Sequence, residues 1–159
     1  GGYTMPLPEK DEMYLTKGKM LQDIVVCLGG RIAESLVFDD VTTGAVQDIR
    51  QATERARDMV TKYGFSDELG MISYSTSDGE VFIGREIGHA KNFSEGTAAV
   101  IDQEVKRIIE SCREKATKIL KENRKVLDKL AELLIEKERI GQQEFEALFE
   151  QNDETIEEM

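Results

Sequence analysis

The stretch TKGKMLQDIVVCLGGRIAESL, residues 16–36, decides the fold class. Its apolar residues recur three and four positions apart, which is the spacing of one face of an α-helix. Thr16 precedes the first of them and is a residue type that caps helix N-termini. The stretch therefore predicts a first long helix with a buried apolar face, formed by Met20, Leu21, Ile24, Val25, Leu28, Ile32, Ala33 and Leu36.

Gly29 and Gly30 lie inside this predicted helix. Each glycine destabilises a helix by about 1 kcal/mol relative to alanine. This loss of helix stability can be offset where another backbone packs close to the helix, since glycine has no side chain to keep it away. The pair therefore predicts a close packing contact at this point.

Three further stretches have the same spacing and add three predicted helices. The second helix follows FDDVTTGA and ends at Tyr63, with Gly64 as a left-handed stop. Ser94 is a candidate cap for the third helix, and Asn123 and Gly141 bracket the fourth. The predicted core positions of these helices are Ile49, Ala52, Ala56, Met59, Val60 and Tyr63, then Ala98, Ile101, Val105, Ile108, Ile109, Cys112, Ala116, Ile119 and Leu120, then Val126, Leu127, Leu130, Leu133 and Leu134.

The remaining segments complete the expected architecture. YTMPLP, residues 3–8, is β-prone, but its two prolines limit it to an edge strand or an extended arm. Residues 65–93 are rich in glycine and contain two short β-prone runs, MISYS and EVFIG, so they are expected to form an irregular segment or a loose hairpin and to be mobile. A short helix is expected at residues 145–149, before a disordered acidic tail, residues 151–159.

The predicted fold is mainly α, with a single domain over residues 1–150. It is a helical bundle of about five helices with a short N-terminal extended strand and an irregular glycine-rich segment. Apolar residues form 40% and charged residues 33% of the 159 residues, which is the composition of a soluble domain.

The net charge of −11 is spread along the whole chain. Such a charge repels nucleic acid and anionic lipid, so neither is an expected partner. No apolar run approaches the roughly 20 residues that span a bilayer. The first residues contain neither a signal peptide nor an initiator methionine, which indicates a piece of a longer protein.

Most catalytic signatures are absent from the sequence. The chain has no phosphate-binding loop and no GxSxG, CxxC or HExxH motif. Cys27 and Cys112 lie on apolar helix faces, so we expect reduced, buried thiols in an intracellular protein. His89 is most simply an exposed loop residue. Glu34 is interpreted as a buried acid paired with Arg31, three residues before it.

Asp48, in TTGAVQDIRQAT at residues 42–53, is the most informative polar residue. It falls near the first turn of the second predicted helix, about 75° from the centre of the apolar stripe at about 100° per residue. Its neighbours three and four positions on, Gln51 and Ala52, carry no positive charge. Two interpretations remain open. The carboxylate interacts favourably with the helix N-terminus, or it is a metal ligand at the rim of a pocket, as a three-ligand catalytic zinc site requires.

Several stretches together resemble one protein family, and the resemblance extends from Gly1 to about Glu150. Their order and spacing are similar to those in the peptidase domain of FtsH-type proteases, which are ATP-dependent, membrane-anchored zinc enzymes. The stretches are GGYTMPLPEKD, LGGRIAE, TTGAVQDIRQAT, ARDMVTKYGFSDELG, GEVFIGR, IDQEVKRIIE and ENRKVLDKLAE.

This resemblance implies that Asp48 is the third zinc ligand. In the family, two histidines of an HExxH helix and the aspartate of a TGAxND motif hold the metal, and this chain has TGAVQD at residues 43–48. Gln47 replaces the usual asparagine. The HExxH motif lies upstream of GGYTM in the family and is missing here, so we expect the C-terminal part of a peptidase domain, inactive by itself. Glu34 is implied to support the site or the fold.

The implied parent enzyme is a homo-hexamer that degrades membrane and unfolded proteins. It binds ATP in a separate upstream module, and an N-terminal anchor, absent from this chain, holds it at the cytoplasmic face of the bacterial inner membrane. The HExxH glutamate activates water for attack on a peptide carbonyl. One alternative from another class is a non-catalytic helical assembly or adaptor domain that has no metal site.

Overall fold

Five α-helices make up most of the chain in the computed structural model, which describes residues 14–75, 93–137 and 140–157. The helices are α1, Lys17–Phe38; α2, Val46–Thr61; α3, Glu95–Glu122; α4, Arg124–Lys137; and α5, Gln142–Glu157. A 3-10 turn, Thr43–Ala45, precedes α2. The mainly α fold with five helices is confirmed, and no strand occurs within the described ranges. None of the described helices combines the length and apolar character needed to cross a bilayer.

Helices α1 and α3 begin at hydroxyl caps, as predicted. Thr16 Oγ1 accepts a hydrogen bond from Lys19 N at 3.1 Å, and Ser94 Oγ accepts one from Thr97 N at 3.2 Å. Each bond satisfies a backbone N–H that has no acceptor within its own helix. The start of each helix is therefore determined by residues next to it in the sequence.

Helix α2 ends in a left-handed glycine turn. Its last helical residue is Thr61, two positions before the predicted end at Tyr63. Gly64 has a φ of +65°, and the next residue donates a hydrogen bond back to the last turns of the helix, from Phe65 N to Met59 O at 2.9 Å. Glycine adopts this left-handed backbone conformation without a steric penalty. The predicted left-handed stop at position 64 is confirmed.

The hydrophobic core is formed where α1, α2 and α3 pack against one another. Each of the three helices contributes one apolar stripe. The buried core residues are Met20, Ile24 and Leu28 on α1, Ala52, Ala56, Met59 and Val60 on α2, Ile101, Val105, Ile108 and Cys112 on α3, and Leu69 after α2. Helix α4 packs mainly against α5, at the edge of this core.

The apolar stripes predicted from the sequence extend beyond the part of each helix face that is buried in the structure. Ile49 and Tyr63, at the two ends of the predicted α2 stripe, are 40% and 46% exposed, and Ile119 and Leu134 are each 43% exposed. The prediction of these four residues as core is wrong. The spacing of apolar residues identifies the face of a helix, whereas the covered length of that face depends on where the neighbouring helices cross it.

The two glycines of α1 do not face another backbone within the described residues. Apart from the adjacent backbone of α1 itself, no described atom lies within 4 Å of the position that a Cβ on Gly29 would take. The atom nearest to the corresponding position on Gly30 is a side-chain oxygen, Asp48 Oδ2, at 3.9 Å. The backbone contact predicted from the pair is therefore replaced at Gly30 by a contact with a carboxylate.

After α2 the chain folds back against that helix. Tyr74 N donates a hydrogen bond to Thr61 O at 2.7 Å, and Leu69 is buried in the core. Residues 65–75 form turns and bends, in agreement with the irregular segment predicted there. Residues 76–92 lie outside the described residues, so the mobility expected for the whole segment stays a prediction.

Helix α5 is longer than the helix predicted at residues 145–149. It extends from Gln142 to Glu157 and so includes residues 151–157 of the predicted disordered tail. Glutamate and glutamine, which are frequent in α5, are good helix formers. The strand predicted at residues 3–8 lies outside the described residues.

Candidate metal-binding site

Asp48 lies in the first turn of α2, with its carboxylate against α1. The side chain is half-buried, and Oδ2 is 3.9 Å from the place of a Cβ on Gly30. The residue therefore borders the interior, as its angle on the predicted helix indicated. It forms no hydrogen bond or ion pair with another described residue. Among the described residues, therefore, none occupies its carboxylate oxygens.

A thiol and an amide lie next to this carboxylate. Cys27 Sγ is 3.9 Å from Gln51 Oε1, and the thiol is free but only half-buried, whereas the sequence predicted a buried thiol. Burial raises the pKa of Cys27, Arg55 opposes that rise, and the negative charges of Asp48 and Asp23 add to it. The thiol is therefore protonated at neutral pH. Sequence reasoning did not place Cys27 beside Asp48, because the two residues lie on different helices.

An ion-pair network joins α1 to α2 beside the same site. Asp23 Oδ2 accepts a hydrogen bond from Arg55 Nη1 at 2.7 Å, and Lys19 Nζ lies 3.4 Å from Asp23 Oδ1. The Asp23 side chain is only 23% exposed, so water screens the pair less than it would at an open surface. Because Arg55 is bound to Asp23, it makes no ion pair with Asp48.

The turn before α2 is held by two side chains of α1. Arg31 Nη1 donates a hydrogen bond to Thr42 O at 3.0 Å, and Glu34 Oε1 accepts one from Thr42 N at 2.8 Å. The predicted ion pair between Arg31 and Glu34 is wrong, since both side chains bind the backbone of Thr42 instead. The sequence correctly put the two residues on one face of α1. It did not reveal that the turn crosses this face.

The described residues do not form a complete metal site by themselves. Within residues 14–75, 93–137 and 140–157, no three His, Cys, Asp or Glu side chains come close enough together to hold a metal ion. A catalytic zinc site uses three protein ligands. Asp48 fits the chemistry of one of them, since it is an anionic oxygen donor on a helix and has no cationic partner among the described residues. His89 lies outside the described residues.

The family of this helical domain follows from comparison of the whole chain with known proteins. Residues 1–148 match the model of peptidase family M41. The chain therefore belongs to peptidase family M41. The resemblance that the sequence motifs indicated is confirmed.

Three curated relatives illustrate the match. The chain is 52% identical over 153 residues to "ATP-dependent zinc metalloprotease FtsH 1" of Thermoanaerobacter sp. strain X514, covering 96% of the chain and 25% of the relative. It is 53% identical over 148 residues to the ATP-dependent zinc metalloprotease FtsH of Caldicellulosiruptor bescii, covering 93% and 24%. For the Thermotoga maritima protein of the same name, the values are 43% over 155 residues, 98% and 25%. The chain spans about a quarter of the length of these relatives.

Proposed function

We propose that the chain is the C-terminal portion of the peptidase domain of a membrane-anchored, ATP-dependent zinc metalloendopeptidase. One observation carries the proposal: the half-buried carboxylate of Asp48, in the first turn of α2, has no cationic partner among the described residues. The names of the relatives, which include both zinc and ATP dependence, support it.

Asp48 is the third protein ligand of the zinc ion in this proposal. The packing of α2 against α1 and α3 holds the backbone beneath the carboxylate, as a ligand on a rigid element requires. When bound, zinc supplies a Lewis acid that activates water for attack on a peptide carbonyl. The negative charge of Asp48 offsets part of the charge of the cation.

The other two ligands and the catalytic glutamate are assigned to an HExxH helix encoded upstream of Gly1. A single carboxylate binds zinc weakly, so the 159-residue chain is expected to be inactive by itself. Gln47, which replaces the asparagine usual in the family motif, is exposed and forms no hydrogen bond with another described residue. No supporting role at the metal is assigned to its amide.

The remaining properties of the full-length protein are proposed from the family resemblance. ATP binds a separate upstream module, and six copies assemble into a ring. An N-terminal anchor holds the ring at the cytoplasmic face of the bacterial inner membrane, and membrane and unfolded proteins are its substrates. The alternative, a helical adaptor, predicts a start codon rather than an HExxH sequence in the gene a few tens of residues before Gly1.

The test of the metal site is Asp48→Asn in the full-length protein, with Asp58→Asn as the matched control. Asp58 is an exposed aspartate on the same helix. We expect Asp48→Asn to lose most of its bound zinc, measured by atomic absorption after gel filtration, and most of its peptidase activity. The control retains both, and circular dichroism gives the same helix content for the two variants. Undiminished zinc and activity in Asp48→Asn would falsify the assignment.

A further inference from the structure

All three polar groups of Thr42, in the connection between α1 and α2, are hydrogen-bonded. Its N–H donates to Glu34 Oε1 at 2.8 Å and its carbonyl oxygen accepts from Arg31 Nη1 at 3.0 Å. Its hydroxyl oxygen accepts from Gly44 N at 3.2 Å. Two of the three bonds come from α1, so this residue of the connection is tied to α1 at both of its backbone groups.

Helix α2 begins without a side-chain cap of its own. Its N-cap residue is Ala45, which has no side-chain oxygen to accept a hydrogen bond from the first turn. Instead, the 3-10 turn Thr43–Ala45 leads directly into the helix, and Val46 N donates to Thr43 O. The cap of that turn is Thr42. The start of α2 therefore depends on how Thr42 is held.

The same part of α1 faces both the turn and the candidate ligand. Gly30 lies against the carboxylate of Asp48, while Arg31 and Glu34 bind Thr42, six residues before Asp48 in the chain. A shift of the turn along α1 would move the first turn of α2 and the carboxylate with it. The two bonds hold both backbone groups of Thr42, and so the two peptide units on either side of it, which opposes that shift.

We propose that Arg31 and Glu34 are positioning residues for Asp48, because they bind Thr42 to α1 and thereby determine where α2 begins. The inference rests on the proposed function for the identity of the metal. Its structural part concerns only the place of the turn and of Asp48 relative to α1. Neither side chain binds zinc in this proposal.

The first experiment measures amide hydrogen exchange by NMR in the 159-residue chain without metal. Glu34→Ala removes the acceptor for Thr42 N, and we expect exchange of that amide to accelerate about tenfold, the effect of losing a hydrogen bond to a charged group. Exchange at Val46 accelerates as well, because its bond belongs to the turn that Thr42 caps. Glu34→Gln keeps an acceptor oxygen and leaves both rates close to those of the parent chain.

Two further variants complete this experiment. Arg31→Ala removes the other bond to Thr42 and is expected to accelerate exchange at Val46 in the same way. Glu110→Ala, from an exposed pair with Arg113 on α3, is the control for loss of a surface glutamate and leaves both amides unchanged. The amide of Ile108, in the core of α3, reports whether each variant is folded. Unchanged exchange at Val46 in both Glu34→Ala and Arg31→Ala would overturn the proposal.

The second experiment measures zinc affinity in the full-length protein by competition with a chromophoric chelator. Loss of a residue that orients a metal ligand lowers metal affinity by about 10-fold to 100-fold, so we expect a loss in this range for Glu34→Ala. Glu34→Gln retains most of the affinity, since it preserves the hydrogen bond. If Glu34→Gln loses as much affinity as Glu34→Ala, the charge of Glu34 acts on the metal and the positioning role is wrong.

The two experiments separate this inference from the proposed function. If Asp48→Asn keeps full zinc affinity, the assignment of Asp48 as a ligand fails by itself. The exchange rates at Val46 still decide whether Arg31 and Glu34 hold the start of α2, because they are measured without metal. A third outcome is faster exchange at Val46 with unchanged zinc affinity. In that case Arg31 and Glu34 position the turn but not a metal ligand, and the part of the proposal that concerns Asp48 is wrong.

Discussion

Asp48 Oδ2 lies 3.9 Å from the place that a Cβ on Gly30 would occupy, so the carboxylate of α2 faces the glycine of α1. A methyl group at position 30 would be in ordinary van der Waals contact with this oxygen. Glycine leaves that space open. The contact links the LGGRIAE stretch of α1, residues 28–34, to the TTGAVQD stretch, residues 42–48, at the start of α2.

Alanine substitutions at the two glycines test this contact. Each removes a helix penalty of about 1 kcal/mol. We expect Gly29→Ala to stabilise the chain by about 0.5–1 kcal/mol, because open space surrounds that position among the described residues. Gly30→Ala is expected to stabilise it less, since the new methyl group removes water from the Asp48 carboxylate. Urea unfolding measures both, and equal stabilisation would contradict the contact.

The buried glutamate of α3 predicts that alanine substitutions at two arginines of this helix lower the free energy of unfolding by different amounts. The Glu104 side chain is 6% exposed, and its Oε2 lies 2.7 Å from Arg107 Nε. Arg107→Ala leaves this carboxylate without that partner and is expected to lower the free energy of unfolding by about 1–3 kcal/mol. Arg113→Ala breaks a pair whose side chains are 50% and 46% exposed, and is expected to lower it by less than about 1 kcal/mol. Urea titrations that give equal losses would show that burial of Glu104 is unimportant.

Two aliphatic residues of α1 differ in burial and predict different losses on truncation. Ile24 is 0% exposed, and Ile24→Ala is expected to destabilise the chain by about 2–5 kcal/mol through lost burial and a cavity. Val26 is 66% exposed, and Val26→Ala is expected to change stability by less than about 0.5 kcal/mol. Thermal unfolding followed by circular dichroism measures both. A loss at Val26 comparable to that at Ile24 would mean that the outer face of α1 is covered in solution.

The buried thiol of α3 predicts a pH dependence of stability. Burial raises the pKa of Cys112 above its ordinary value of 9.0, against the opposing effect of Lys115. The folded chain therefore holds this proton to higher pH than the unfolded chain does. Its contribution is complete below the ordinary thiol pKa and is lost as pH rises through the raised value.

Cys112→Ala should accordingly flatten the fall in stability above about pH 9, apart from its constant loss of packing. Urea unfolding at neutral and alkaline pH measures the difference. Val105→Ala, which removes buried volume on the same helix but keeps the thiol, is the control and retains the slope. The same slope in Cys112→Ala as in the parent chain would exclude the thiol as its source.

Much of the candidate site could be anticipated from residues close together in the sequence. The angle of Asp48 on its helix predicted a position at the border of the interior, and the structure has it half-buried there. The contacts of Arg31 and Glu34 could not be anticipated. Their spacing indicated a pair on one helix face, but their partner is a turn whose path over α1 depends on how two helices pack.

The sequence by itself determined which segments of this protein are helical, where α1 and α3 begin and which glycine stops α2. Thr16, Ser94 and Gly64 act through bonds to residues at most six positions away, so their effects are contained in the local sequence. Only the tertiary structure decided which ends of the apolar stripes are covered and that Asp48 lies against Gly30. Those outcomes depend on the crossing of helices distant in the sequence, which many weak contacts determine together.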